Sequence, residues 1–145
     1  MSSMRFKDKV VVVIGGNSGI GLSSARAFAA EGARVVITGR DPATLATAAR
    51  EIGGDTLAVR SDVAELADQD PLFEAVKARH GRIDVLFVNA GVGTFTPVRE
   101  VTPELWDHVT GVNLRGAFFA AQKALPLMGR GGAIVFTGSI GSVLR

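Results

Sequence analysis

An α/β fold with a mostly parallel sheet follows from three observations on this sequence. Short β-branched apolar runs recur along the chain, stretches with helix-start signals separate them, and glycines close those stretches. The runs are Val10 to Ile14, Val35 to Thr38, Leu57 to Val59, Val85 to Val88 and Ala133 to Phe136. Continuous apolar runs of this length suit strands covered on both faces, as the strands of parallel sheets are. Alternation of strand and helix, with connections long enough for right-handed crossovers, puts helices on both faces of the sheet.

The first strand runs straight into Gly15-Gly16-Asn17-Ser18-Gly19-Ile20-Gly21 and then into a helix over Leu22 to Glu31, ended by Gly32. Leu22, Ala25, Phe28 and Ala29 share one face of it. The second strand gives way to Gly39-Arg40, and Asp41-Pro42 starts the second helix. The aspartate caps free amides, and proline at the first helical position sacrifices no hydrogen bond. Gly53-Gly54 close this helix and lead to the third strand. Asp70-Pro71 repeats the start signal for a third helix, closed by Gly81. After the fourth strand, Thr102-Pro103 opens a long helical stretch. Its segment Leu105 to Met128 carries Leu105, Val109, Val112, Phe118 and Phe119 before Pro126 interrupts it. No repeat, linker or low-complexity segment divides residues 1–145, which read as one domain.

Composition removes several classes of function. The chain has no cysteine, so disulfide frameworks, thiolate metal sites and thiol nucleophiles are excluded. Sixteen Lys plus Arg against fourteen Asp plus Glu are scattered rather than gathered into a stripe, which gives nucleic acid no footprint. No metal site is implied. The apolar run after the basic N-terminus is too short for a signal-peptide core or a membrane span, and a soluble cytoplasmic protein is expected. His80 precedes Gly81 in the last turn of a helix, where the dipole favours an imidazolium, and His108 lies on the helix after Pro103. Neither has a partnered acid and nucleophile, and both read as surface or packing residues.

The glycine loop carries the functional signal. Between a buried strand and a helix, glycines permit a tight turn and let the backbone approach a pyrophosphate with no Cβ in the way. The helix N-terminus then offers unpaired N–H groups and the positive end of its dipole to the anion. The expected binding residues are Gly15, Asn17, Ser18, Gly19, Ile20 and Gly21.

The spacing G-x-x-x-G-x-G resembles the glycine motif of short-chain dehydrogenases/reductases, with Ile14 where that family usually has a threonine. Other motifs follow in the family's order. Asp62-Val63 after the third strand resembles its adenine-contacting pair, and Asn89-Ala90-Gly91 after the fourth resembles its N-A-G turn. Asn113, within Val112-Asn113-Leu114-Arg115-Gly116, resembles its helix asparagine, and Ser139, within Thr137-Gly138-Ser139-Ile140-Gly141, resembles its catalytic serine. The likeness covers the chain from Lys7 onward. It implies a Rossmann-type domain that holds a nicotinamide dinucleotide, here truncated after the fifth strand, and hydride transfer between nicotinamide and a carbonyl or alcohol substrate.

The cofactor is read at the end of the second strand. A carboxylate about 20 residues past the glycines would bind the ribose hydroxyls of NAD, whereas an arginine there favours the 2′-phosphate of NADP. The family's NAD-selecting acid aligns with Gly39, while Arg40 offers a planar guanidinium suited to a phosphate. Asp41 is the rival acid, with helix capping as its competing role. NADP is therefore expected, with NAD the alternative.

In the family a tyrosine donates the proton, aided by a lysine one helical turn later and by a water relay that Asn113 helps organise. This sequence contains no tyrosine. The 145-residue chain is thus expected to bind nucleotide through a domain incomplete at its C-terminus, and not to turn over substrate. A non-catalytic nucleotide-binding module, or a fragment complemented by another chain, is the second reading. An S-adenosylmethionine methyltransferase is the third, and Gly39-Arg40 argues against it. The resemblance also implies a homo-oligomer in the full-length form, through the helix of Leu105 to Met128, with burial of the same apolar stripe inside one subunit as the alternative. Ile134, Val135 and Phe136 would form an unpaired edge if the fifth strand is outermost. Val92, Gly93 and Thr94 are the residues expected on the nicotinamide side, and the substrate itself is not legible.

Overall fold

The computed structural model describes residues 4–142. Five parallel strands form one sheet: β1 Val10–Ile14, β2 Arg34–Gly39, β3 Leu57–Arg60, β4 Ile83–Val88 and β5 Met128–Phe136, in the order β3-β2-β1-β4-β5. The chain winds outward from β1 through β2 to β3, then crosses back to lay β4 against the other side of β1. That reversal opens a crevice at the C-terminal ends of β1 and β4, where open α/β sheets bind ligands.

Among the described residues, five α-helices connect or cover the strands: α1 Gly19–Ala30, α2 Pro42–Ile52, α3 Leu66–His80, α4 Pro103–Thr110 and α5 Ala117–Ala124. The two-residue period of β1 divides its valines between the faces. Val11 and Val13 pack with Ala25 of α1 and with Leu45 and Ala48 of α2, while Val10, Val12 and Ile14 pack with Leu72, Phe73 and Val76 of α3 and with Ala120 and Ala124 of α5. Each fully buried valine or leucine contributes about 1.5–3 kcal/mol relative to an exposed one, so this double-faced core fixes the position of β1 and everything at its end.

The fold differs from the sequence reading in four places. The first helix starts at Gly19 rather than Leu22, inside the glycine loop. The third starts at Leu66, not at Asp70-Pro71, and Pro71 lies within it. What pulls that start back is Asp68, whose carboxylate accepts from the Asp62 N–H at 2.9 Å and from Arg60 at 2.5 Å, together with the buried Gln69 beside it. The long helical segment is broken: α4 gives way to a π-helical segment, Gly111–Gly116, before α5, and a 3₁₀ turn at Leu125–Leu127 leads into β5. Finally, β5 is longer than Ala133 to Phe136 and is not covered on both faces. It is an edge strand of the described sheet, with Val135 and Phe136 exposed. Its pairing with β4 is irregular between Ile83 and Val85, in the stretch where Gly129, Gly131 and Gly132 fall.

His80 is half-buried, as a packing residue is, but its charge state differs from the one the helix dipole favours. Burial pushes its imidazole below the ordinary 6.5, Arg79 and Arg34 add to that, and Asp55 opposes it. Nε2 is buried with no hydrogen-bond partner among the described residues, so desolvation outweighs the helix dipole here. The folded state therefore binds a proton less readily than the unfolded chain. Stability is unaffected well above pH 6.5 and falls as the pH drops below it, because the unfolded state then takes up the proton first. Denaturation midpoints measured from pH 7.5 down to pH 5 should decline, and His80→Gln should flatten that decline.

Candidate nucleotide-binding site

A cleft of about 760 Å³ opens at the C-terminal ends of β1, β2, β3 and β4, bordered by the start of α1 and by Val112 of the π-helical segment. It collects Gly15, Asn17, Ser18, Gly19 and Ile20 from the glycine loop, Arg40 and Asp41 after β2, Asp62 and Val63 after β3, and Asn89, Ala90 and Gly91 after β4. The volume falls within the range of small-molecule and cofactor clefts.

The loop is held by its neighbours. The Gly15 N–H donates to the Thr38 hydroxyl at 3.2 Å and the Gly16 N–H to the Thr38 carbonyl at 3.0 Å, so one buried threonine of β2 fixes the turn. Gly15 has φ +78°, and a Cβ there would lie 2.9 Å from Ala90 Cα, so neither its conformation nor its space suits a side chain. A Cβ on Gly21 would collide with the Gly15 carbonyl oxygen and lie 2.9 Å from Asn89 Nδ2, which is why α1 can seat directly against the loop. Ser18 is the N-cap of α1 but makes no side-chain capping bond, and the first turn carries no acid. The amides and dipole of α1 therefore remain uncompensated toward the cleft, as an anion site requires.

Asn89 and Ala90 both donate their N–H to the Ile14 carbonyl, at 3.0 and 2.9 Å. Thr137, past the end of β5, donates its hydroxyl to Asn89 Oδ1 at 2.7 Å. Asn113 is spent on the backbone of Val92: its Oδ1 accepts from the Val92 N–H at 2.8 Å and its Nδ2 donates to the Val92 carbonyl at 2.7 Å. The side chain thus positions the segment after the Asn-Ala-Gly turn, and it sits in a π-helical stretch, a geometry frequent at functional sites. Ser139 stands apart from the cleft lining and is exposed, its Oγ accepting from the Gly141 N–H at 3.1 Å.

At the β2 end Arg40 is exposed on the cleft rim beside Gly39. Asp41 caps α2, its Oδ1 accepting from the Ala43 N–H at 3.0 Å. At the β3 end Asp62 Oδ1 accepts from the Ala64 N–H at 3.0 Å, while Asp68 holds the Asp62 N–H. Sequence reasoning missed Thr38, Thr137, Asp68 and Gln69 as supports of the site. Only the placement of Thr38 and Thr137 at strand ends could have drawn attention to them.

Gln69 is buried, and its Nε2 donates to the Val63 carbonyl at 2.9 Å and to the Gly116 carbonyl at 3.0 Å, bridging the β3 end to the π-helical segment. Gln69→Leu removes both bonds together with a buried Oε1 that has no partner among the described residues, and should cost about 1–2 kcal/mol in chemical denaturation. A loss under about half a kcal/mol would show that the bridge is not needed.

The residues present fit a dinucleotide: a glycine cradle that a Cβ would fill, an uncompensated helix N-terminus for a pyrophosphate, and polar groups at the ends of β2, β3 and β4. A family model described as short chain dehydrogenase matches residues 9–145. The chain belongs to the short-chain dehydrogenase family. Within that family, oxidoreductase asL5 of Sarocladium schorii is 46% identical over 137 residues, covering 93% of this chain and 55% of the relative. The NADP-dependent (R)-specific alcohol dehydrogenase of Lentilactobacillus kefiri is 37% identical over 141 residues, covering 94% of this chain and 56% of its own. Among solved structures, 3-ketoacyl-(acyl-carrier-protein) reductase from Brucella melitensis complexed with NADH superposes with a TM-score of 0.90 at 36% identity, over 94% of this chain and 60% of that one. The chain spans about half the length of the curated relatives it matches.

Proposed function

We propose that this chain is the cofactor-binding part of an NADP-dependent oxidoreductase that moves a hydride between nicotinamide and a carbonyl or alcohol substrate. One observation carries the choice of NADP: Gly39 presents no side chain where a ribose-binding acid would stand, Arg40 borders the cleft beside it, and the nearby carboxylate of Asp41 is engaged in capping α2. A guanidinium at that rim suits a dianionic 2′-phosphate and gives nothing comparable to a ribose hydroxyl. The relative described as an NADP-dependent alcohol dehydrogenase supports the same reading.

The bound nucleotide would supply the hydride. The chain's own residues would seat the pyrophosphate on the Gly15 to Gly21 loop, hold the adenine side with Asp62 and Val63, and order the nicotinamide side through Asn89, Ala90, Gly91 and the Asn113 clamp on Val92. Ser139 is proposed to fix the substrate carbonyl. With no tyrosine among the 145 residues, a polypeptide of these residues alone should bind nucleotide without turnover. Steady NADPH oxidation by that polypeptide would contradict this part of the reading. A homo-oligomer is proposed as well, through the exposed Trp106, Leu114 and Phe118 on the α4 to α5 segment. The direct test of the function is calorimetric titration of the purified protein with NADP⁺ and with NAD⁺. Tighter binding of NADP⁺ supports the reading, and equal or tighter binding of NAD⁺ overturns the cofactor assignment.

A further inference from the structure

Gly39 is buried and its φ is not in the left-handed region, so nothing in its own backbone demands glycine. The demand comes from the glycine loop. A Cβ built on Gly39 would lie 2.5 Å from Cγ and Oδ1 of Asn17 and 2.7 Å from its Nδ2. The Asn17 amide therefore fills the very space into which a side chain at position 39 would grow. A flexible amide would ordinarily swing aside at little cost, but this one is anchored. Asn17 Nδ2 donates to Thr44 Oγ1 at 2.9 Å, and the Thr44 hydroxyl donates in turn to the Asp41 carbonyl at 3.1 Å. Asp41 is the N-cap of α2, so the anchor is tied to the start of that helix.

We propose that Asn17, held by Thr44, is a specificity-determining residue that excludes any side chain, and hence any ribose-binding acid, at position 39. The inference rests on the proposed nicotinamide-nucleotide reading and deepens it: cofactor choice is set by a pair of positions, 17 and 39, rather than by the end of β2 alone. An acid introduced at 39 must displace the amide at 17 and break its hydrogen bond to Thr44. Asn17→Ala keeps the loop backbone while deleting the three atoms that a Cβ at 39 would meet.

The test is a double-mutant cycle read by stability and by nucleotide binding. Gly39→Ala places only the obstructing Cβ, so it should lower the thermal midpoint, and Asn17→Ala in the same protein should recover most of that loss. In calorimetric titrations Gly39→Asp alone should weaken NADP⁺ without a matching gain for NAD⁺. The Gly39→Asp/Asn17→Ala double variant should bind NAD⁺ about tenfold more tightly than Gly39→Asp. Additive stability effects at 17 and 39, or full NAD⁺ binding by Gly39→Asp alone, would overturn the proposal. If the aspartate variants do not fold, the alanine cycle decides the question without them. Should the unsubstituted protein prefer NAD⁺, the cofactor reading fails, yet the alanine cycle still reports whether Asn17 and Gly39 compete for space.

Discussion

Gly21→Ala should abolish measurable nucleotide binding and destabilise the fold by about 3 kcal/mol or more, at the upper end of what overpacking a well-packed site costs. The added methyl meets the Gly15 carbonyl oxygen and the Asn89 amide, one of them backbone and the other held beside a turn that β1 itself anchors. Relief requires α1 to back away from the loop, which breaks the packing of Ala25 against Val11 and Val13 and tilts the helix N-terminus off the cleft. Both effects share one cause, so denaturation and nucleotide titration should fail together. Normal stability with normal binding would mean that the helix seat is looser than its geometry implies.

Arg40→Ala separates the two cofactors. Loss of a charge-assisted contact to the 2′-phosphate should weaken NADP⁺ about 10- to 100-fold, while NAD⁺, which lacks that phosphate, should move by less than about threefold. Arg40 lies exposed on the cleft rim, so thermal stability should hardly change. The neighbouring Arg60 is no substitute: it is paired with Asp68 and donates to the Arg40 carbonyl at 3.4 Å, which commits it to the β3 end. An equal loss for both nucleotides would assign Arg40 to the shared part of the cofactor.

The glycine loop was legible in the sequence because its chemistry is local: a strand, a turn that excludes side chains and a helix start follow one another within a dozen residues. The caps at Asp41 and Thr102 were legible for the same reason, each side chain reaching amides two or three residues on. What the sequence hid depends on partners distant in the chain. Thr38 reads as one more strand residue until Gly15 is folded against it, and Gln69 reads as a surface residue until Val63 and Gly116 close over it. Asp70-Pro71 imitates a helix start because a proline tolerated inside a helix carries the same local signature as one that begins it. The π-helical segment Gly111–Gly116 leaves only a small shift in an apolar stripe, too little to separate from an α-helix by periodicity. The exposure of β5 follows from its place at the edge of the described sheet, which an apolar run does not reveal.

We propose that the cleft at the β1/β4 crossover selects a phosphorylated nicotinamide dinucleotide through Arg40, beside a Gly39 that carries no acid. The most direct test is a competition titration with 2′,5′-ADP and 5′-AMP, which carry the adenosine end of the cofactor with and without the 2′-phosphate. 2′,5′-ADP should bind more tightly, by about tenfold or more, and lose that advantage in Arg40→Ala. Equal binding of the two by the unsubstituted protein would contradict the proposal.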